Sequence, residues 1–438
     1  MAPILALADD LSGAAETAAA LSTRETRNYT DPDVPRLLLL TAHTAHPHPH
    51  PAPGGALVVD TDSRHRDEGE AAARVRAALS LAEPPSTGAP VEAVTVLKKI
   101  DSLLRGRLAA ELGPLRERGG LVLAPALPVA GRTVLDGAVR VDGGPLSAAP
   151  AWRLEPTRAP DDIASALAPL PCRTVPLALV RGPETALSRA LRDAVTHGMV
   201  AVCDAVSDDD LTRIATVTRR ALGSGVALAG SAAMAGALAR TTTPSAPAPG
   251  APRQLPPADH PRPLLLVVGT AEPSARRQTK RLARAGVPVL SLPGTELLTD
   301  PGAAATALAA AARHPVSAVT LAETLVEAPP GALTGALADA VARSGTPADL
   351  VLTGGATARA VIDALGHPTL AYGGPIHRPE RPGEVEYGAV RLLAPDGRTV
   401  VTRPGSFGGP DSLLTIARSL RPVARGHSPV PPGPADRP

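Results

Sequence analysis

A chain of 438 residues is too long for one ordinary core and calls for two or three domains. A formal net charge of +2, with no basic run interleaved with aromatics, excludes a nucleic-acid surface, and no apolar run reaches the length of a membrane span. Only five aromatics are present (Tyr29, Trp152, Tyr372, Tyr387 and Phe407), so the core must be built of Leu, Val and Ala.

In chain order, PILALA reads as a short buried strand, followed by Asp9, Asp10 and Ser12-Gly13 and then a helix over AAETAAALSTR. A strand feeding an acidic, small-residue turn and a helix is the α/β pattern. RLLLLTA (36–42) is a second strand. HTAHPHPHPAPGG is a His/Pro tract whose alternating prolines keep it an extended, solvated loop rather than a metal site. ALVVDTDSRHRDEGEAAARVRAALSLA gives strand, polar turn and helix. VEAVTVLKKID is a strand, and Asp101 or Ser102 is a plausible N-cap for a helix over SLLRGRLAAEL, which Gly106 weakens. Next come a strand with a small hairpin (GLVLAPALPVAGRTVLDGAVRVDGGPL) and two strand–turn–helix units, AVCDAVSDDDLTRIATVTRRAL and GVALAGSAAMAGALAR.

The stretch 241–263 is rich in Pro, Ala and Thr without periodicity, as a linker should be. A second α/β set follows: PLLLVVGT, a helix SARRQTKRLARAG, a strand VPVLSL, the unit LVLTGGATARAVIDALG, and VEYGAVRLLAPDGRTVVTRPGSFGG with Asp396-Gly397 as a hairpin turn. The Pro-rich tail from Arg421 is expected to be disordered. The expected organisation is thus two α/β domains with mainly parallel sheets: residues 1–240, a linker at 241–263, residues 264–420 and a tail at 421–438. The active-site cleft is expected between the domains.

Lysine is nearly absent. Lys98, Lys99 and Lys280 are the three in a chain with 44 basic residues, and two of them stand side by side. An ammonium on a flexible stem differs from a planar guanidinium, so the pair marks a place where arginine does not serve. Strand alternation makes the two face opposite ways. Replacing either is expected to remove activity while leaving stability intact.

Ligands of open α/β sheets lie at the carboxyl ends of strands, where the polar residues of this chain collect. The first domain offers Asp9, Asp10 and Asp101 with Arg64, Lys98, Lys99 and Arg105, a mixture suited to a small, anionic, hydroxylated ligand. Arginine grips a carboxylate with two bonds, and an aspartate beside a hydroxyl can act as general base. The second domain offers small-residue turns before helices, which let backbone N–H groups approach phosphate oxygens. Neither GxxxxGK[ST] nor GxGxxG occurs, which argues against a P-loop enzyme and a Rossmann-type oxidoreductase. The two cysteines, Cys172 and Cys203, lack CxxC or metal-ligand spacing and fit a reducing cytoplasm. The N-terminus has no charged n-region of a signal peptide.

Nine phrases in order resemble the four-carbon acid sugar kinase family (3-oxo-tetronate, D-threonate and D-erythronate kinases). They are ADDLSGA (8–14), DSR (62–64), KKIDSLLRG (98–106), APALPVAGRT (124–133), CDAVSDDDL (203–211), GSAAMAGALA (230–239), VVGTAEPSARRQ (267–278), LTGGATARAVIDALG (352–366) and RPGSFGGPDSL (403–413). The resemblance implies an N-terminal sugar-acid-binding domain, a C-terminal nucleotide-binding domain and transfer of the γ-phosphoryl of ATP, with Mg²⁺, to the terminal hydroxyl of a four-carbon acid. Carried over, the catalytic candidates are Asp10, Lys98, Lys99 and Asp101, and the substrate-binding candidates are Asp9, Arg64 and Arg105. The nucleotide candidates are Gly269, Thr270, Glu272, Gly354, Gly355, Ala356, Thr357, Gly405 and Gly408. No metal ligand is assigned. The expected partner is a small sugar acid, with no nucleic acid or membrane, and a homo-oligomer is compatible with the sequence.

The departures from the family pattern fall mainly on the nucleotide side. Ala356 stands where the family usually carries Asp or Glu, GTAE lacks the serines of the family's GSxS phrase, and Ser406 stands where Asn or Ala is frequent. They motivate two alternatives: a non-catalytic sensor of sugar acid or nucleotide, and a kinase for another small hydroxy acid.

Overall fold

A computed structural model describes residues 3–22, 36–39, 51, 55–83, 93–150, 152, 155, 157–242, 262–270, 273–322, 326–329, 331–381, 384–405 and 407–421. Most of the His/Pro tract, residues 243–261 of the linker, Glu272, Ser406 and the tail beyond Arg421 lie outside the described residues. The chain divides into two compact units. One comprises residues 1–255 with 368–374 and 392–395, and the other holds the rest.

The first unit runs β1 (Ile4–Ala8), α1 (Leu11–Leu21), β2 (Arg36–Leu39), β3 (Ala56–Asp60), α2 (Glu68–Leu79), β4 (Thr95–Lys99), α3 (Leu108–Gly119) and β5 (Leu121–Ala124). It continues with β6 (Arg132–Leu135), β7 (Ala138–Val141), β8 (Gly144–Pro145), α4 (Ile163–Leu167), β9 (Cys172–Val175), α5 (Leu177–Val180), α6 (Glu184–Thr196), β10 (Val200–Cys203), α7 (Asp208–Leu222), β11 (Ala227–Gly230) and α8 (Ala232–Thr242). The second contains β12 (Leu264–Val268), α9 (Pro273–Arg284), β13 (Val289–Leu292), α10 (Gly294–Thr299), α11 (Pro301–Ala311), β14 (Val316–Leu321), α12 (Ala332–Arg343), β15 (Asp349–Thr353) and α13 (Gly355–Ala364). Then come β16 (Thr369–His377), β17 (Val385–Leu393), β18 (Thr399–Arg403) and α14 (Ser412–Leu420).

The main sheet of the first unit has the order β2–β3–β1–β4–β11–β5–β10–β9, all parallel, while β6, β7 and β8 form a small antiparallel sheet of their own. Thr369 to Ala371 of β16 run antiparallel along β2. Strands covered on both faces read as unbroken apolar runs, and every residue of β1 is buried. The core is Leu, Val and Ala, as five aromatics require, and among the described residues Tyr372 is the one aromatic buried in it. Helix starts follow local chemistry. Asp10 caps α1 by accepting the Gly13 N–H at 2.8 Å, and Ser207 with Asp210 forms a capping box on α7. Three aspartates in the first turn of α7 and two arginines in its last complement the helix dipole.

The chain adds β2 and β3 on one side of β1 and then crosses to β4 on the other. This reversal makes the carboxyl ends of β1 and β4 the switch point at which open α/β sheets bind ligands. The second unit repeats the logic. Its order is β13–β14–β12–β15–β18–β17, parallel from β13 to β18, and the reversal falls between β12 and β15. Its core joins Leu264, Leu266 and Val268 of β12 to Leu282 of α9, Val401 of β18 and Leu413 and Ile416 of α14.

Three expectations are corrected. The helix after β4 begins at Leu108, not at Ser102, because Leu104 (φ 60°) and Gly106 (φ 96°) hold the intervening residues in a loop. Helix α8 runs to Thr242, into the stretch read as linker. Arg421, read as the start of a loose tail, is anchored by its Nε to the Arg262 carbonyl at 2.9 Å and by an ion pair to Asp349.

Gly119 closes α3 against Gly225, whose carbonyl oxygen would stand 2.2 Å from any Cβ added there. Backbone cannot swing aside as a side chain would. Gly119→Ala is therefore expected to cost about 1–3 kcal/mol in urea unfolding, the usual range for overpacking. An unchanged midpoint would show that this approach is not tight.

Candidate active site

Two loops at the switch point of the first unit build a charged pocket. Arg64, in the turn after β3, donates from Nε to Asp9 Oδ2 and from Nη1 to Asp10 Oδ2, both at 2.6 Å. Asp101, beyond β4, takes Arg105 Nε at 2.7 Å, Nη2 at 3.1 Å and its backbone N–H at 3.2 Å. The corrected helix start creates this loop, and the Trp152 indole holds it by donating to the Leu103 carbonyl at 3.0 Å. Burial alone would raise both carboxyls. For Asp101, Arg105 and Arg64 outweigh burial and hold it well below the usual carboxylate range. For Asp9, Arg64, Lys98 and Lys99 do the same.

The lysine pair divides as strand alternation requires. Lys98 is fully buried and points to α3, where its ammonium lies 2.9 Å from Glu111 Oε2 and also donates to the Lys99 carbonyl at 3.1 Å. Lys99 points to α1. A Cβ on Gly13 would stand 2.8 Å from its Nζ and 2.7 Å from Asp10 Oδ1, so glycine makes room for the ammonium. Lys99 is 5% exposed and has no hydrogen-bond or ion-pair partner among the described residues. Asp9 Oδ1, Ser12 Oγ and Glu16 Oε1 are likewise buried and unpartnered. An ammonium together with unpartnered acceptors suits a small molecule that carries both negative charge and hydroxyl donors.

In the second unit three small-residue loops converge. Thr270 lies against two glycines, 3.6 Å from a Cβ built on Gly354 and, by its Oγ1, 2.9 Å from one built on Gly405. Thr357 Oγ1 would stand 2.4 Å from a Cβ on Gly269. Gly354 (φ 97°) and Gly408 (φ 83°) adopt backbone that favours glycine, and the Gly354 N–H bonds the Arg403 carbonyl at 2.9 Å. Gly355 opens α13, with Ala356 exposed and Thr357 buried beside it. Beneath the third loop, Arg403 donates to Gln278 Oε1 and the Phe407 carbonyl, while Gln278 Nε2 donates to the carbonyls of Phe407 at 3.2 Å and Gly408 at 3.1 Å. Burial pulls the Arg403 guanidinium down to about 10, against the pull of Glu386, so it is still charged at neutral pH. Beside these loops opens a cavity of about 550 Å³, lined by Gly269, Thr270, Arg276, Lys280, Ser291 and Thr320 among others. That volume is ordinary for a cofactor-sized ligand. The third rare lysine thus lines a cavity.

Sequence reasoning missed Glu16, Glu111, Trp152, Gln278 and the cavity face of α9 with Arg276 and Lys280. Glu16 carried a readable signal, being the sole charge in an alanine-rich helix next to Asp9-Asp10. The others depend on which elements pack together. Among the described residues, no three His, Cys, Asp or Glu side chains are grouped to hold a metal, and no helix is long and apolar enough to cross a membrane.

The model of a sugar-binding N-terminal domain matches residues 4–238, and that of a nucleotide-binding C-terminal domain matches residues 265–413. The chain is 32% identical to a D-threonate kinase of Cupriavidus necator over 330 residues, 72% of this chain and 77% of that one. It is also 32% identical to a D-threonate kinase of Bordetella bronchiseptica over 346 residues, 74% of this chain and 77% of the relative. A solved Salmonella typhimurium protein, described as a putative tRNA synthase, matches with a TM-score of 0.70 at 21% identity, covering 95% of this chain and 99% of that one. A Haemophilus influenzae DUF1537 protein matches with a TM-score of 0.63 at 17% identity, covering 94% and 99%; these two likenesses concern the fold. With both domain models matched in order, around the pocket and loops just described, the chain belongs to the four-carbon acid sugar kinase family.

Proposed function

We propose that this protein transfers the γ-phosphoryl of ATP to the terminal hydroxyl of a four-carbon sugar acid, with D-threonate the first acid to test. The observation that carries the reading is the charged site at the ends of β1 and β4, where Lys99 faces α1 and Asp9 Oδ1 is buried without a partner. The 32% identity to D-threonate kinases supports the class of substrate. Phosphoryl transfer asks mainly for positioning and charge neutralisation.

The residues then take distinct roles. Arg64 and Arg105 present to the substrate carboxylate the N–H donors not spent on their aspartates. Lys99 neutralises charge on the substrate or the transferring group. Asp10 and Asp101 have both oxygens engaged, Asp10 by the Gly13 N–H and Arg64, Asp101 by Arg105. Asp9 keeps Oδ1 free, so we assign it, rather than Asp10 or Asp101, to accept the hydroxyl proton. Its lowered basicity is tolerable because a loose transition state asks little of the base. Lys98 acts through Glu111 as a supporting residue.

For the nucleotide we assign the loops at Gly269–Thr270, Gly354–Thr357 and Gly405–Gly408 to the phosphates, with the adjoining cavity for the rest of the molecule. Glu272, outside the described residues, remains in that proposal. With no cluster of protein ligands among the described residues, Mg²⁺ fits as an ion held chiefly by the phosphates and water, its usual habit, and it would supply the larger share of charge neutralisation. Two free cysteines are in keeping with a reducing cytoplasm. Ala356 favours a second reading: its exposed methyl brings no polar contact to the start of α13, as a nucleotide-insensitive sensor would have it. Calorimetry separates the two, because a sensor binds acid without turnover.

A coupled ADP-release assay across D-threonate, L-threonate, D-erythronate and 3-oxo-tetronates is expected to show turnover with at least one. Folded protein that releases ADP with none would sink the kinase reading. Lys99→Ala is expected to lower kcat by about 10²–10³, as removal of one preorganised charge does, with the melting temperature nearly kept. Lys98→Ala should instead destabilise by about 3–5 kcal/mol, because it strands a buried Glu111 carboxylate. Equal stability losses for the two variants would overturn this division. Gln278→Ala should raise KM for ATP roughly tenfold, the equivalent of one lost hydrogen bond of about 1.4 kcal/mol, and leave KM for the acid unchanged. A KM change for the acid alone would refute the loop assignment.

A further inference from the structure

Phosphoryl transfer as described leaves one carboxylate of the acid pocket without a task. Glu16 lies on α1 one turn beyond Ser12 and is that helix's sole charged residue. The residue is partly exposed, yet its Oε1 is enclosed and unpartnered, as are Ser12 Oγ and Asp9 Oδ1. Lys99, on the neighbouring strand, faces the same helix and has no partner either. These groups come from the end of β1, from α1 and from β4, and each lacks what another could supply. No hydrogen bond joins them to one another.

Among the described side chains, the charges around Glu16 come from several elements. Lys99 of β4 attracts it, Asp10 at the cap of α1 repels it, and Arg64 after β3 and Arg132 of β6 attract it. Strand β1 carries no titratable side chain. Asp60, ending β3, accepts the Asp62 N–H at 3.0 Å, Lys98 is turned to Glu111, and Arg240 of α8 donates to Thr212 Oγ1 at 2.8 Å. Burial, opposed by Lys99 and assisted by Asp10, pushes the Glu16 carboxyl up to about 7.

We propose that Glu16 is the counter-charge of Lys99 in the ligand-free protein and yields that role to the incoming sugar-acid anion, taking up a proton from solvent as it does so. This rests on the reading that the first unit binds such an acid. An arriving anion removes the attraction of Lys99 and adds repulsion, and both favour the neutral form of Glu16. The protonated carboxyl can then donate a hydrogen bond to the ligand. Binding is therefore coupled to protonation, and affinity falls as pH rises above the midpoint of the free group.

The measurement is calorimetry of D-threonate binding to the full-length protein at pH 7.5, in buffers of different ionisation enthalpy. Wild type is expected to take up about 0.75 proton per site, the ionised fraction of an acid with a midpoint near 7, and E16Q none. KM for the acid should rise up to about tenfold per pH unit between pH 7 and 8.5 in wild type, and stay flat in E16Q. At pH 8 the variant should bind more tightly, because glutamine mimics the neutral form. A residue that merely supports the fold would not shift the proton count. Equal uptake in both proteins, or a flat wild-type KM profile (which needs no variant to fold), would overturn the exchange. Binding of no tetronate at all would remove the kinase reading together with it.

Discussion

Burying a cation requires an anion beside it, and this constraint orders the first unit. An ion stranded in a protein interior costs several kcal/mol, so the charges at the switch point come as matched sets. Lys98 has Glu111, Arg105 has Asp101, and Arg64 bridges Asp9 and Asp10. The matching fixes geometry as well as energy. By spanning two consecutive aspartates, Arg64 ties the loop after β3 to the end of β1. Arg105, by closing on Asp101, shapes the loop that separates β4 from α3. Lys99 is the exception, having no directly bonded carboxylate among the described residues, and its attraction to Glu16 acts without an ion pair. Its neighbours set the local potential without satisfying the ammonium.

The second unit solves a different problem, the close approach of backbone to a ligand. Glycine does this at Gly269, Gly405 and Gly408, where threonine or serine side chains press so closely that a Cβ would collide, and at Gly354, whose backbone has positive φ. A glycine-rich loop is also floppy, and its conformational freedom has to be removed by something else. Arg403 and Gln278 do so from below by taking up the carbonyls of Phe407 and Gly408. The stacking of Tyr387 on Phe407, with ring centroids 5.5 Å apart, adds a second restraint. The loop is thereby held in one conformation.

Much of this was legible in the sequence because parallel strands have so plain a signature. ILALA, TVLKK and LLLVV each run apolar to a polar end, and at every such end stands a group of the pocket or of the loops. Alternation also foretold that Lys98 and Lys99 part company. What it could not give was the face occupied by each helix, and so it could not tell that Lys98 meets Glu111 while Lys99 meets Gly13. The helix after β4 was misplaced for a local reason: helical periodicity carries through SLLRGRL, but positive φ at Leu104 and Gly106 breaks it. Gln278 and Lys280 were hidden because their importance arises from β13, β14 and β18 folding around α9, contacts remote in sequence.

The lysine–arginine imbalance then acquires a physical reason. A guanidinium placed at position 99 would need room for a planar fork beside α1, where Gly13 has already been stripped of its Cβ to admit a single ammonium. At position 98 the same fork would have to fit between β4 and α3 with one carboxylate, Glu111, to answer five donors, leaving several buried and unsatisfied. Arginine serves at positions 64 and 105 because each faces enough acceptor oxygens to use its geometry: Asp9 with Asp10 in one case, both oxygens of Asp101 in the other. Where acceptors are plentiful the fork is used, and where the space is a point the point charge is kept. The number of acceptors within reach, more than the need for positive charge, decides which base stands at each position of the pocket.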